Sequence, residues 1–191
     1  MSDKDKRYQR THSRIRQVFE ELVQTVPFQE ITVTRISQGV GINRKTFYMH
    51  YESTTALLDE LVDDIAQEFQ ELDAICRDNP GQYGAGLIEA FFEILERRES
   101  LHQRLICAPE YLFVFQQIAE QILRQHTARF RINASLDPYC QRVLSTFLIG
   151  SIMPIYRDWL LSGKPIPQKD LARFLESLIQ RCLDGLEGPA I

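Results

Sequence analysis

The segment from Ile31 to Leu61, ITVTRISQGVGINRKTFYMHYESTTALLDEL, decides the fold. Thr32 is suited to cap a short helix, whose apolar residues follow at helical spacing: Val33, Ile36 and Val40. Gly41 is a residue that accepts positive φ just after a helix end, and Asn43 caps the next helix. The segment therefore predicts two short helices separated by a tight turn.

The second of these helices has two different faces. At 100° per residue, Phe47 and Tyr51 share the inner face. The outer side carries residues of another kind: Lys45 and Met49, with Thr46 and Tyr48 beside them. A helix that enters the major groove of DNA needs an outer face that contacts the groove and an inner face that packs. We interpret the segment as a helix-turn-helix.

The ordered pattern resembles the DNA-binding signature of the TetR family of bacterial transcriptional regulators. The match falls on Thr32, Val33, Ile36, Gly41, Ile42, Arg44, Thr46, Phe47, Tyr48, His50, Tyr51 and Ser53. The resemblance implies an all-α fold, with a three-helix DNA-binding domain at 1–52 and a helical regulatory, ligand-binding and dimerisation domain at 53–191. It implies a homodimer that binds palindromic double-stranded DNA, most often as a repressor.

The resemblance also assigns DNA contacts. Phosphates are assigned to Thr32, Thr46, Tyr48 and His50, and bases to Arg44, Lys45 and Met49. These roles suit the side chains, because Arg and Lys donate to guanine, hydroxyls bind phosphate oxygens and a methionine contacts a thymine methyl. Thr34 and Arg35 complete the predicted set. Arg35 stands where the family commonly has an acidic residue, so we expect it to face DNA.

Gly39 and Thr54 also depart from the family pattern. Gly39 replaces a usual small alanine, which costs about 1 kcal/mol inside a helix. Either it allows close helix packing or it is tolerated. Thr54 replaces a usual lysine, which puts one phosphate contact in doubt.

Charge is distributed unevenly along the chain. The net charge is −4, yet residues 1–51 contain nine Lys or Arg against five Asp or Glu. A basic DNA-binding head on an acidic body produces this asymmetry, and so does chance clustering of surface charge. The four cysteines lie far apart and the N-terminal residues include no apolar signal region, which favours a cytoplasmic location with free thiols. The longest nearly apolar stretch, 143–156, is too short to span a membrane.

The remainder of the chain shows helical periodicity and no sustained strand alternation. Six apolar residues lie on helices that the family packs around its ligand cavity: Phe91, Leu95, Phe113, Ile118, Ile122 and Phe147. We expect them to line a site for a small apolar or aromatic effector, although the same residues would equally suit a filled core. A further apolar set predicts the dimer interface: Trp159, Phe174, Leu175, Leu178 and Cys182.

Other functions have less support. The sequence has no phosphate-binding loop, nucleophile elbow or zinc-protease motif, so we expect neither an enzyme nor a cofactor. A metal-sensing site formed by His102, Cys107 and His126 is an alternative, although dispersed His and Cys are more often ordinary core or surface residues. A protein that acts only through protein partners is a further alternative. The intact Arg44, Lys45, Thr46 and Tyr48 argue against it.

Overall fold

The computed structural model describes residues 3–72, 86–129 and 136–185, and all regular elements within these ranges are helices. The expected all-α class is thus confirmed. Three single 3-10 turns, Phe28–Glu30, Phe69–Glu71 and Pro109–Tyr111, lie between the longer elements. The α-helices are α1 Asp3–Val23, α2 Val33–Val40, α3 Arg44–Tyr48, α4 Thr54–Glu68, α5 Leu87–Arg97, α6 Glu99–Cys107, α7 Leu112–Arg129, α8 Pro138–Leu161 and α9 Gln168–Asp184.

The N-terminal unit is built by packing α2 and α3 against α1. The buried residues of α1 recur at helical spacing: Ile15, Val18, Phe19 and Val23. α2 approaches this stripe at Gly39, where an added Cβ would lie 2.7 Å from Val18 Cγ1. The glycine therefore allows a close approach of the two helices, which decides between the two interpretations of this residue.

The turn between α2 and α3 requires a glycine. Gly41 has φ 77°, in the left-handed region that a side chain disfavours. Its conformation lets the amide groups of Gly41 and Ile42 both donate to the Ser37 carbonyl at 3.0 Å, which satisfies the end of α2. The chain then enters α3 at once.

α4 connects the N-terminal unit to the rest of the chain. It begins at a cap in which Ser53 Oγ accepts a hydrogen bond from the Ala56 amide at 3.0 Å. Its inner stripe is buried against α7, and α7 packs in turn against α8. The buried residues of α4 are Leu57, Leu58, Leu61, Val62, Ile65 and Ala66.

α9 closes the body by packing against α5. Its buried stripe is Leu171, Ala172, Leu175 and Ile179. Glu176 of α9 accepts a hydrogen bond from the Ile88 amide at 3.2 Å, at the positive end of the α5 dipole. Burial raises the pKa of Glu176, and hydrogen bonds from the α5 amides oppose this effect. The last helix is thus held by both apolar and polar contacts.

Polar contacts tie the end of α1 and the chain after it to the body. Arg98, between α5 and α6, pairs with Glu20 of α1 at 2.6 Å and with Glu68 of α4 at 3.1 Å. The buried Tyr111 hydroxyl donates to the Val26 carbonyl at 2.7 Å, and burial raises the pKa of Tyr111 to about 12. Gln24 also accepts from the Ser100 hydroxyl at 2.8 Å. A movement in the body therefore reaches the end of α1 directly.

The close packing at Gly39 gives a prediction. Gly39→Ala should lower the free energy of unfolding, because overpacking costs about 1–3 kcal/mol against about 1 kcal/mol gained in helix propensity. In a chain that already carries Val18→Ala, the same change should raise stability, since the opposing methyl group is gone. Urea denaturation of the wild type, the two single variants and the double variant gives the free energy of coupling between residues 18 and 39. A Gly39→Ala effect of the same sign in both backgrounds contradicts the packing argument.

Candidate functional site

α3 is positioned by one cap and one buried ring. Asn43 Oδ1 accepts hydrogen bonds from the Thr46 amide at 2.8 Å and from the Thr46 hydroxyl at 3.1 Å. Phe47 is completely buried and packs edge-on to Tyr48, with ring centroids 5.6 Å apart. Because the inner side is fixed in this way, the direction of the outer side chains is also fixed.

The outer face of α3 is exposed. Tyr48 and Met49 have 50% and 66% of their surface accessible. Arg44 and Lys45 are exposed beside them, and Arg44 Nη2 lies 3.5 Å from the Tyr48 hydroxyl. This face therefore offers two cations, one hydroxyl and one flexible apolar side chain.

α2 presents the second part of the predicted DNA-binding set. Thr32 Oγ1 accepts a hydrogen bond from the Arg35 amide at 3.2 Å and so caps the helix as expected. Thr34 and Arg35 are exposed. Arg35 is also paired with Glu30 at 3.6 Å, so its charge is partly compensated in the free protein.

His50 lies in a cluster of aromatic rings between α1 and the end of α3. Tyr8 stacks on His50 with ring centroids 4.1 Å apart, and His12 stacks on Tyr51 at 5.0 Å. Burial lowers the pKa of His50, and the nearby His12 lowers it further, so the ring is neutral at neutral pH. A neutral ring donates through one nitrogen only.

Tyr8 and His12 were not singled out by the sequence analysis. His12 Nε2 lies 3.1 Å from the Tyr51 hydroxyl and 3.4 Å from Glu60 of α4, so it joins α1 to α4 and to the segment between α3 and α4. The signal that identifies them is their spacing of four residues, on the side of α1 that continues to Ile15 and Phe19. They position the end of α3 relative to α1.

The residues predicted to line a ligand cavity separate into two groups. Phe91, Leu95, Ile118 and Ile122 are buried in the body, and of these Leu95 and Ile118 line a small cavity. The other two require a correction. Phe147 is 60% exposed on α8, and Phe113 is 38% exposed, with its ring 5.9 Å from Phe28 in the N-terminal unit. Neither contacts the cavity.

The residues predicted to form a dimer interface also fall into two groups, one exposed and one buried. Phe174, Leu178 and Cys182 are exposed along one stripe of α9. Leu175 is buried against the body instead. Trp159 is buried as well, and its indole nitrogen donates to the Ile166 carbonyl at 2.9 Å. Trp159 and Leu175 thus belong to the core of the single chain, which corrects their assignment.

The alternative metal site does not assemble on α6. His102 lines the internal cavity, whereas Cys107 lines an open groove on another side of the helix. Burial raises the pKa of the Cys107 thiol, which disfavours the thiolate that binds metals. The side chain of His126 lies outside the described residues. Within the described ranges, no three His, Cys, Asp or Glu residues are grouped as metal ligands.

Comparison with solved structures identifies the fold. A TetR transcriptional regulator from Streptococcus agalactiae 2603V is 24% identical, with 92% of this chain and 97% of that chain covered and a TM-score of 0.60. The fatty acid degradation regulator FadR from Bacillus halodurans is 11% identical, with 88% and 94% covered and a TM-score of 0.66. NalD, the secondary repressor of the MexAB-OprM multidrug efflux pump in Pseudomonas aeruginosa, is 16% identical, with 91% and 96% covered and a TM-score of 0.61.

These likenesses span nearly the whole chain. No family sequence model and no curated protein sequence matches it. The chain therefore has the all-helical fold of TetR-type transcriptional regulators, and the fold expected from the resemblance is confirmed. In the part of the chain that the structure describes, no helix is both long and apolar enough to cross a membrane.

The cap of α3 gives a second prediction. Asn43→Ala should lower the free energy of unfolding by about 1 kcal/mol, because the Thr46 amide loses its acceptor. Asn43→Asp is the matched control, since it retains a capping oxygen and should leave stability nearly unchanged. Chemical denaturation followed by circular dichroism measures both. Equal losses for the two variants would show that the cap does not hold α3.

Proposed function

We propose that this protein is a ligand-responsive transcriptional repressor that binds palindromic operator DNA as a homodimer. The observation that carries the proposal is the outer face of α3, which is fixed from within by Phe47 and presents exposed cations and a tyrosine. The fold shared with transcriptional regulators, NalD among them, supports it. Residues 1–52 form the DNA-binding part and residues 53–191 the regulatory and dimerising part.

The chemistry of each exposed side chain suggests its role on the DNA. Arg44 and Lys45 at the start of α3 donate to guanine O6 and N7, and Met49 contacts a thymine methyl. The remaining residues of the set bind or approach phosphates: Thr32, Thr34, Arg35, Thr46, Tyr48 and His50. Two contacts within the protein are replaced when DNA binds. The Thr46 hydroxyl leaves Asn43 for a phosphate, and Arg35 leaves Glu30 for a phosphate.

Dimerisation is proposed through the exposed apolar faces of the last two helices. On α9, Phe174, Leu178 and Cys182 recur every four residues with no covering element in the described chain. α8 carries a similar exposed stripe that includes Phe147, the residue first assigned to a cavity: Tyr139, Val143, Phe147 and Leu161. Contiguous apolar surface of this kind marks an interaction site, and a second copy of the chain covers it symmetrically.

The regulatory step is proposed to be binding of a small, mainly apolar effector inside the body. Support comes from the cavity that Leu95 and Ile118 line. An effector weakens DNA binding only by as much as it favours a conformation in which the two DNA-binding units are wrongly spaced. Such couplings amount to about 1–3 kcal/mol.

The first test of the function is selection of binding sites from random DNA duplexes at moderate salt. We expect a near-palindrome with half-sites about one helical turn apart. Arg44→Ala or Lys45→Ala should cost about 1–3 kcal/mol and flatten the base preference. Tyr48→Phe should weaken all sequences alike. Lys169 is exposed on α9, so Lys169→Ala is the control that should leave the affinity for DNA unchanged. A wild-type protein that shows no sequence preference would refute the proposal.

The dimer face gives a separate prediction. Leu178→Glu should produce monomers, because the interface would bury an unpaired carboxylate. Leu178 is 47% exposed in the single chain, so the variant should still fold. Ser177→Glu adds the same charge at an exposed position about 100° around the helix from Leu178, at the edge of the stripe, and should remain dimeric. Sedimentation at micromolar concentration measures all three proteins. A monomeric wild type, or equal behaviour of both variants, would rule out this interface.

A further inference from the structure

The first turns of α1 extend beyond the core of the N-terminal unit. Ile15 is the first residue of this helix whose side chain is buried in the described chain, and residues 5–10 are all exposed. Because a helix rises about 1.5 Å per residue, about 15 Å of α1 precedes the core. The side chains of this extension are therefore available to a partner.

The extension and the turn after it carry a row of cations. The segment 6–19 contains no Asp or Glu. Four of its Lys and Arg residues fall within an arc of about 100°, on the side of α1 opposite Phe19. We call these four residues the basic stripe: Lys6, Arg7, Arg10 and Arg14. The remaining cation, Arg16, lies outside the arc and pairs with Glu60 and Asp64 of α4.

The charge of the basic stripe is not compensated by the described chain. All four residues are exposed, and no described carboxylate lies within ion-pair distance of them. Arg44 and Lys45 on the outer face of α3 are in the same state, whereas Arg98 is held by Glu20. The net charge of the chain is −4, so a polyanion is attracted by local surfaces of this kind and not by the protein as a whole.

The extension lies beside the surface proposed to bind DNA. Tyr8 stacks on His50 with ring centroids 4.1 Å apart, and His50 directly follows Met49 at the end of α3. Three residues of the basic stripe lie one or two positions from Tyr8, so at most about 3 Å of helix rise separates them from it. They project from the other side of α1, which is about 10 Å across. The stripe is therefore about 10 Å from His50, or about three base pairs along DNA.

We propose that the basic stripe binds the phosphate backbone of duplex DNA beside the base pairs that α3 contacts. This inference rests on the proposed function, since it enlarges the DNA-binding surface of the same unit. From Lys6 to Arg14 the stripe spans about 12 Å, which matches about three to four phosphates of one strand. Phosphate contacts carry no sequence information, so the stripe contributes affinity and not base preference.

DNA suits this surface better than an acidic protein does. Both would match the charge of the stripe, but only a long polyanion contacts the stripe and the outer face of α3 together. The stack of Tyr8 on His50 holds these two surfaces side by side. The stripe and α3 thus form one continuous cationic surface across two helices.

The salt dependence of operator binding tests the stripe. Each phosphate contact that is lost reduces the slope of log K against log salt by about 0.9. Lys6→Gln/Arg10→Gln removes two contacts in each subunit of the proposed dimer, so the slope should fall by about 3–4. The loss of affinity between 50 and 200 mM salt should then be about 100-fold smaller than in the wild type. The selected base preference should stay that of the wild type, because both positions contact only phosphates.

The control removes the same charge from the body. Arg124 of α7 and Lys169 of α9 are exposed there, so Arg124→Gln/Lys169→Gln should retain the wild-type slope. An unchanged slope in the α1 variant overturns the proposal. Equal falls in both variants also overturn it, because net charge and not position would then set the slope. The changed residues are exposed in both variants, and circular dichroism checks that both remain folded.

Ethylation of single phosphates in the operator tests where the stripe binds. Wild-type binding should be weakened at two sets of phosphates, one at α3 and one about three base pairs away. In Lys6→Gln/Arg10→Gln the second set should no longer matter, whereas Tyr48→Phe should change only the first. Identical patterns for the wild type and the α1 variant overturn the proposal.

The outcomes separate this inference from the proposed function. Specific binding with an unchanged slope in the α1 variant overturns the stripe alone. A wild type that binds all duplexes alike refutes the proposed function, and the slopes measured on a random duplex then decide the stripe, since non-specific binding is electrostatic as well. A wild type that binds no duplex overturns both.

Discussion

The burial of Phe47 is the constraint on which the surface proposed to bind DNA depends. α3 has only five residues, and a helix of this length does not form alone in water. Its geometry is therefore imposed by the Asn43 cap at one end and by the ring of Phe47 in the core of the N-terminal unit. The exposed residues on either side of Phe47 point outward because that ring points inward.

The rest of the molecule controls where this surface lies. Arg98, Tyr111 and Ser100 hold the end of α1, and they belong to the body. The contact of Arg98 with Glu20 is a charge-assisted pair at 2.6 Å, and the Tyr111 hydroxyl donates to Val26 from a completely buried residue, so both contacts have a defined geometry. The N-terminal unit is consequently linked to the core of the body as well as to the chain at α4.

The sequence was sufficient where the signals are local. The caps Thr32 and Asn43 and the turn at Gly41 all act within four residues, and each is present as expected. Local signals did not show which side of a long apolar helix faces the core. α8 carries apolar residues on several sides, so periodicity alone did not tell that Trp159 faces the core and Phe147 the surface. Contacts such as Tyr111 with Val26 join residues 85 positions apart, and no local pattern encodes them.

The small size of the cavity in the body has a consequence for the proposed regulation. In a cavity of about 10 Å³, an effector cannot enter without displacing side chains, so its binding and a change in packing are the same event. Displacement costs free energy, which limits affinity, but it also ensures that the bound and free states differ in structure. The cavity wall includes α4 and α6, and Glu68 and Arg98 lie at their ends. A change in packing at this wall therefore acts close to Arg98, which pairs with Glu20 of α1.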